Sequence, residues 1–139
     1  MTIEETTDLA ACHALRRTVF IEEQSVPEAD EMDDLDEGAI HLLARDDAGR
    51  PVATARLLIK GDIGKIGRVC VLADQRGTGM GAALMRAAVD ALIARGVREA
   101  HLGSQVHAMG FYEKLGFVAE GPVYDDAGIP HRDMVRVIA

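Results

Sequence analysis

Residues 75–85 read QRGTGMGAALM, three glycines at alternate positions followed at once by small and unbranched helix formers. Glycine lacks a Cβ and costs backbone entropy, so such a cluster signals positive φ or a close approach to the main chain. The segment 81–95 carries Leu84, Met85, Ala88, Val89, Leu92 and Ile93. This is i, i+4, i+8 written twice with one residue's offset, a single apolar stripe on a helix. Arg95 supplies a cation in the last turn and Gly96 a residue suited to the left-handed cap. Upstream, Ile66, Val69, Val71 and Leu72 form a β-branched run suited to a strand. The local order is therefore strand, glycine loop, helix.

A helix N-terminus leaves N–H groups without partners and carries about half a positive charge, so a glycine loop running into it can cradle phosphate oxygens. Arg76 adds a fixed cation, and Arg68, Arg86 and Lys114 are further candidates for a local cationic patch. A tight turn without a ligand is the plainer alternative, and the residues alone leave both open. The stretch Gly77 to Ala82 also satisfies the dinucleotide fingerprint GxGxxG/A, with Glu99 near the expected acidic position. Against that reading, Ala73 to Arg76 separate the strand from the first glycine, Glu99 falls inside a predicted strand, and repeated βαβ units are missing. No GxxxxGK[ST] occurs, which excludes a P-loop.

The 139 residues suit a single domain over 1–139, long enough to build a core without disulfides. Cys12 and Cys70 form no CxxC pair and sit in apolar segments, so buried free thiols in a reducing compartment are expected. The N-terminal stretch lacks a basic region followed by an apolar block, and no apolar run reaches membrane-spanning length. A cytoplasmic protein with no membrane partner is the expectation. The net charge of −8 argues against nucleic acid as a partner.

Thr7 or Asp8 can cap a first helix whose positions Leu9, Cys12, Leu15, Val19 and Phe20 recur at helical spacing, ending before Pro27. From Glu22 to Glu37 run nine carboxylates: Glu22, Glu23, Glu28, Asp30, Glu31, Asp33, Asp34, Asp36 and Glu37. A solvated loop explains such a run, and so does an electronegative rim attracting a cationic substrate. Ala39 to Arg45 and Pro51 to Ile59 read as strands of a hairpin, and Ile63 to Leu72 as a third strand. Beyond the long helix, Val97 to Leu102 reads as a strand. Ser104 can cap a helix with Ala108, Phe111, Tyr112 and Leu115 on its apolar face, stopped by Gly116. Short strands over Phe117 to Glu120 and Asp133 to Ile138 close the chain, separated by a turn with Gly128 and Pro130. The fold class is α/β (α+β), a mixed, mostly antiparallel sheet flanked by helices.

Two stretches then point the same way: Arg76-Gly77-Thr78-Gly79-Met80-Gly81, and Phe111-Tyr112-Glu113-Lys114-Leu115-Gly116-Phe117 some thirty residues on. Together they resemble the GNAT superfamily of N-acetyltransferases, through its Arg/Gln-x-x-Gly-x-Gly/Ala motif and its FYxKxGF segment. Val19 to Gln24 through Pro27, with Gly128-Ile129-Pro130-His131, is similar to the small bacterial ElaA-like branch. The resemblance implies acetyl-CoA as cofactor, its pyrophosphate on the N–H groups of Gly77, Thr78, Gly79, Met80 and Gly81. It also implies that the main chain of Val69, Cys70 and Val71 holds the pantetheine arm. A GNAT-like domain that binds acetyl-CoA as a sensor, without transfer, is the rival reading.

The implied reaction is direct transfer of an acetyl group to an amine, with positioning contributing roughly 7–11 kcal/mol. Tyr112 matches the family's general acid for the departing thiolate. A phenol of pKa about 10 protonating a thiolate whose acid has pKa about 8.5 is uphill by roughly 2 kcal/mol, which favours hydrogen bonding over full transfer. An alkylamine is only about one part in 10³ to 10⁴ neutral at pH 7, so a route for its proton is needed. Glu22, Glu23, Glu28, Asp30, His41 and His131 are candidates, and His131, after a Gly-Ile-Pro turn, leads among the histidines. Asp125 and Asp126 read as turn residues. His13, His101 and His107 have no metal-ligand spacing, so no metal is expected. The acceptor is an amine on a small molecule or peptide, with the acidic stretch pointing to a cationic one. Exposed strands could pair two chains into a homodimer.

Overall fold

A computed structural model describes residues 1–138. Seven strands form one sheet in the order β1-β2-β3-β4-β5-β7-β6, from β1 (Thr2–Thr6), β2 (Ile40–Arg45), β3 (Pro51–Lys60), β4 (Ile63–Val71), β5 (Glu99–Gln105), β6 (Val118–Asp126) and β7 (Ile129–Val137). Every pairing is antiparallel except β4 with β5, the two strands joined through α3 (Met80–Ala94). Helix α1 (Leu9–Arg16) packs on β3 and continues as a π-helical stretch, Arg17–Glu23. The short helices α2 (Glu28–Glu31) and α4 (Met109–Glu113) complete the set.

The stripe on α3 is what fixes that helix to the sheet. Leu84, Met85, Ala88, Val89 and Leu92 are buried with Val52, Leu57, Ile66, Leu102 and Phe117 in the main core. Gly64 of β4 makes room for this docking, because a Cβ there would lie 2.5 Å from Leu92 Cδ2. Cys12, Leu15 and Val19 form a smaller cluster with Leu43 and Cys70 on the other side of the sheet.

The feature that positions the site is a splay between β4 and β5. Their parallel pairing covers only Ile63 to Lys65 against Glu99 to His101. Beyond it the strands part, so Val69 to Val71 hold β3 on one side and face an open cleft on the other. The pairing of β3 with β4 shifts register between Thr54 and Arg56. Opposite this shift Arg68 takes φ +50°, a left-handed conformation at a bulge that bends β4 away from β5.

Several boundaries differ from the sequence expectation. Strand β1 has no strand-like periodicity in Thr2–Thr6 and forms because β2 offers it an edge. Asp8 is the cap of α1, accepting a hydrogen bond from Ala11 N at 3.1 Å. Ser104 caps nothing: it lies buried inside β5, and its hydroxyl donates to the Gln105 carbonyl. The strand starting at Val97 is displaced to Glu99–Gln105, and α4 begins at Met109 and ends before Leu115. Strands β6 and β7 are longer than expected, and Pro130 sits in β7 with only Ala127 and Gly128 left to turn.

Candidate active site

The cleft opened by the splay has a volume of about 670 Å³ and runs from the glycine loop to the end of the β6–β7 hairpin. Along its floor are Val69, Cys70 and Val71; at one end are Arg76, Gly77, Gly79 and Gly81; in the middle is Tyr112; at the other end are Tyr124 and His131. Of the residues expected at the cofactor and catalytic positions, some separated by more than sixty places in the chain, all but Thr78 and Met80 line this one cavity.

At the loop, Gly77 and Gly79 have φ of +77° and +87°, and a Cβ on either would enter open space. Both glycines are required by backbone conformation. Gly81 has another reason, since a Cβ there would come within 3.3 Å of Phe111 Cζ. The alternating glycines thus divide between shaping the loop and, at Gly81, also seating α3 against α4. Gly79 caps α3 and its carbonyl accepts from Ala83 N at 3.0 Å. Among the described residues the N–H groups of Gly77 to Ala82 donate to no protein acceptor. A fan of unsatisfied donors at the N-terminus of a fifteen-residue helix fits a diphosphate.

Arg76 is held by its surroundings: Nε donates to the Val71 carbonyl at 3.0 Å, and the guanidinium pairs with Glu23. Glu23, drawn below the ordinary carboxylate range by that contact, is thereby spent as a proton acceptor. Thr78 turns its hydroxyl onto the Gln75 carbonyl, and Met80 is buried beneath α3. Arg86 lies near Thr78 on the outer side of the loop, and Lys114 is exposed beyond α4.

Tyr112 packs edge-on to Phe111 and Phe117, with ring centroids 5.0 and 6.2 Å away. Burial pushes its phenol up to about 12, so it is a proton donor throughout the physiological range. His131 places Nδ1 2.7 Å from the Ile129 carbonyl. A carbonyl only accepts, so the neutral ring carries its proton on Nδ1 and keeps a lone pair on Nε2. Nε2 has no partner among the described residues.

The acidic stretch is partly neutralised. Arg16, 2% exposed, pairs with Glu31 and Asp36, and Arg56, 5% exposed, pairs with Asp33 and Asp36 at 2.7 and 3.1 Å. Arg68 donates to the Glu31 carbonyl at 3.0 Å and to Asp33 at 3.2 Å. Burial pushes the Asp36 carboxyl up, but hydrogen bonds from Arg16, His13 and Arg56 outweigh it and hold the pKa far below the usual range. Glu31, Asp33 and Asp36 are thus strapped through three arginines to α1, β3 and the bulge of β4, while Glu22, Asp30, Asp34 and Glu37 are exposed and have no ion pair among the described residues. Arg68 is consumed by this strap and is not a spare cation.

His41 is corrected as a proton acceptor, for it is buried on β2 with Nε2 2.8 Å from the Asp36 carbonyl. Glu28 pairs with Arg17, and Glu22 does not line the cleft. Asp30 and Asp126 do line it and have no ion-pair partner among the described residues. Asp125 acts as a turn residue, accepting from Gly128 N. His13 and His101 bond Asp36 and Glu99, while His107 reaches Gln105 at the cleft edge. Tyr124 and the pair Gln24–Gln105, bonded at 2.9 Å across 81 positions, have no local sequence signal.

A glycine loop on a helix N-terminus, a splayed parallel strand pair and an aromatic α4 are now in one frame, and the profile of the acetyltransferase (GNAT) domain matches residues 5–138. The chain belongs to the GNAT acetyltransferase family. It is 36% identical over 123 residues to the uncharacterized N-acetyltransferase YjcF of Bacillus subtilis, covering 88% of this chain and 87% of that one. ElaA of Escherichia coli is 35% identical over 138 residues, covering 95% and 89%. Its crystal structure superposes with a TM-score of 0.83 over 98% of this chain and 99% of that chain. The crystal structure of an acyl-CoA N-acyltransferase from Pseudomonas aeruginosa, 35% identical, gives a TM-score of 0.86 over 98% and 97%. The protein is accordingly an acyl-CoA-dependent transferase of the GNAT fold, and acetyl-CoA is its cofactor. Among the described residues no helix is long and apolar enough to cross a membrane.

Proposed function

We propose that this GNAT protein, as one domain over 1–139, transfers an acetyl group from acetyl-CoA directly to a primary amine of a small molecule or peptide. The observation that carries this is the single cleft joining the glycine loop, Tyr112 and His131. Donor and acceptor can meet there without an acyl-enzyme. Cys70, the cysteine that lines the cleft, is poorly suited to be an acylated nucleophile, because burial pushes its thiol up to about 12. Ser104 has its hydroxyl committed to a carbonyl.

Acetyl-CoA, when bound, supplies the acetyl group as an activated thioester. The residues of the chain would do the rest. The N–H groups of Gly77 to Gly81 hold the diphosphate, and the free edge of Val69 to Val71 holds the pantetheine arm. The Tyr112 hydroxyl donates a hydrogen bond to the departing sulfur. His131 Nε2 accepts the proton that the attacking amine must lose, directly or through water. Asp30 and Asp126, left unpaired in the same cleft, favour a cationic acceptor. The test is calorimetric titration with acetyl-CoA, followed by free-thiol release with spermidine, lysine amide and kanamycin as acceptors. Micromolar binding that Gly79→Trp weakens, together with amine-dependent thiol release, supports the reading. A folded protein that does not bind acetyl-CoA refutes it.

A further inference from the structure

The geometry points to Tyr124 as the positioning residue of His131, held in place by Asp133 and admitted to the site by Gly103; this rests on the role given to His131 above. Tyr124 and His131 are directly opposed on β6 and β7, just past the register shift that follows Glu120. Gly121, at φ +77°, lies within that irregular segment, which re-aims the strand so that the phenol ring covers the imidazole. The two rings stack at 25° with centroids 5.9 Å apart.

From there the phenol reaches diagonally over β7. Its hydroxyl donates to Asp133 Oδ1 at 2.8 Å, two residues beyond His131 on the same face. On the neighbouring strand Gly103 is the partner of Asp133, and Gln105 that of His131. A Cβ at position 103 would lie 2.4 Å from the Tyr124 hydroxyl. The φ of Gly103 is not in the left-handed region, so its lack of a side chain is explained by the clearance it leaves for Tyr124.

Two contacts therefore hold one imidazole, and a third holds one of its partners. Ile129 fixes its proton on Nδ1, the Tyr124 ring limits its rotation, and Asp133 anchors that ring. The consequence is a single tautomer with Nε2 as the basic atom. The other titratable groups lining the cleft are Asp30, Glu31, Lys65, Arg68, Cys70, Arg76, His107, Tyr112 and Asp126. None bonds His131.

Long-range proton–nitrogen NMR of the imidazoles reads the tautomer without needing an acceptor, with His131→Gln assigning the signal. Wild type is expected to give His131 as the Nδ1–H form. Tyr124→Leu is expected to move it towards the mixed populations of a free imidazole, and Gly103→Ala to do the same by pushing the Tyr124 ring off the imidazole. Tyr124→Phe keeps the stacked ring but loses the Asp133 anchor, so its signal should fall between wild type and Tyr124→Leu. In kinetics, Tyr124→Leu should lower kcat/KM for the best of the three amines about tenfold to a hundredfold, the scale of a misplaced catalytic group, with KM for acetyl-CoA unchanged. Retention of the Nδ1–H tautomer in both Tyr124→Leu and Gly103→Ala overturns the inference. If His131→Gln leaves amine turnover intact, the catalytic role of His131 falls while the NMR result still decides the positioning.

Discussion

Replacing Tyr112 by Phe removes one oxygen and keeps the ring that packs against Phe111 and Phe117, so the variant isolates the hydroxyl. The phenol is pushed up to about 12 by burial, against about 8.5 for an ordinary thiol, a gap of roughly 3.5 units or about 5 kcal/mol for full proton transfer. That cost is too large for the hydroxyl to act chiefly as a proton donor in the covalent sense. Its contribution is then that of a hydrogen bond to a developing anion, about 1.5–3 kcal/mol, or a fall in kcat of roughly 10- to 150-fold. Thiol release at saturating acetyl-CoA gives kcat, and calorimetry gives the affinity for acetyl-CoA, which should stay within about twofold since the oxygen adds no ground-state contact. The same raised pKa removes any alkaline limb due to Tyr112 below about pH 11. A kcat within twofold of wild type would refute the assignment of the hydroxyl, and a loss confined to acetyl-CoA affinity would make it a binding group.

Asp36→Asn takes one carboxylate from two buried guanidinium groups that already have Arg16 Nη2 and Arg56 Nε unpartnered, so no spare acceptor can replace it. We expect a loss of about 3 kcal/mol, read by urea denaturation, with Tm lower by roughly 10 °C. Asp33 and Asp36 have folded pKa values below their unfolded ones, so they add stability above about pH 4 that is lost as pH falls through the folded values. Wild-type unfolding free energy should therefore hold between pH 7 and 5 and fall below about pH 4, where the Asp36→Asn curve converges on it; parallel curves would contradict the linkage. Gly64→Ala forces a methyl group against buried Leu92 and should cost about 1–3 kcal/mol without changing acetyl-CoA affinity per folded molecule.

The sequence by itself determined the parts whose physics is local. The period of Leu84, Met85, Ala88, Val89 and Leu92 makes α3 a helix with one buried face whatever it packs on, and positive φ at Gly77 and Gly79 follows from a loop that must turn sharply into it. The segment Phe111 to Phe117 carries its resemblance in seven consecutive letters, and His131 follows a short turn. What lay beyond reach depends on groups brought together from far apart. Glu31, Asp33 and Asp36, in a run of nine carboxylates, read as free charge until Arg16, Arg56 and Arg68 arrive from α1, β3 and β4 to bind them. The packing of Gly81 against Phe111 is invisible in the loop's own letters, and Tyr124 reads as one aromatic in a polar hairpin until the β6–β7 register sets it over His131. Strand β1 exists only because β2 presents an edge, and the cleft only because β4 and β5 pair for three residues and then separate. Periodicity along the chain records which face of an element is buried; pairing register and ion partners are properties of two distant segments at once, so the tertiary structure alone decides them.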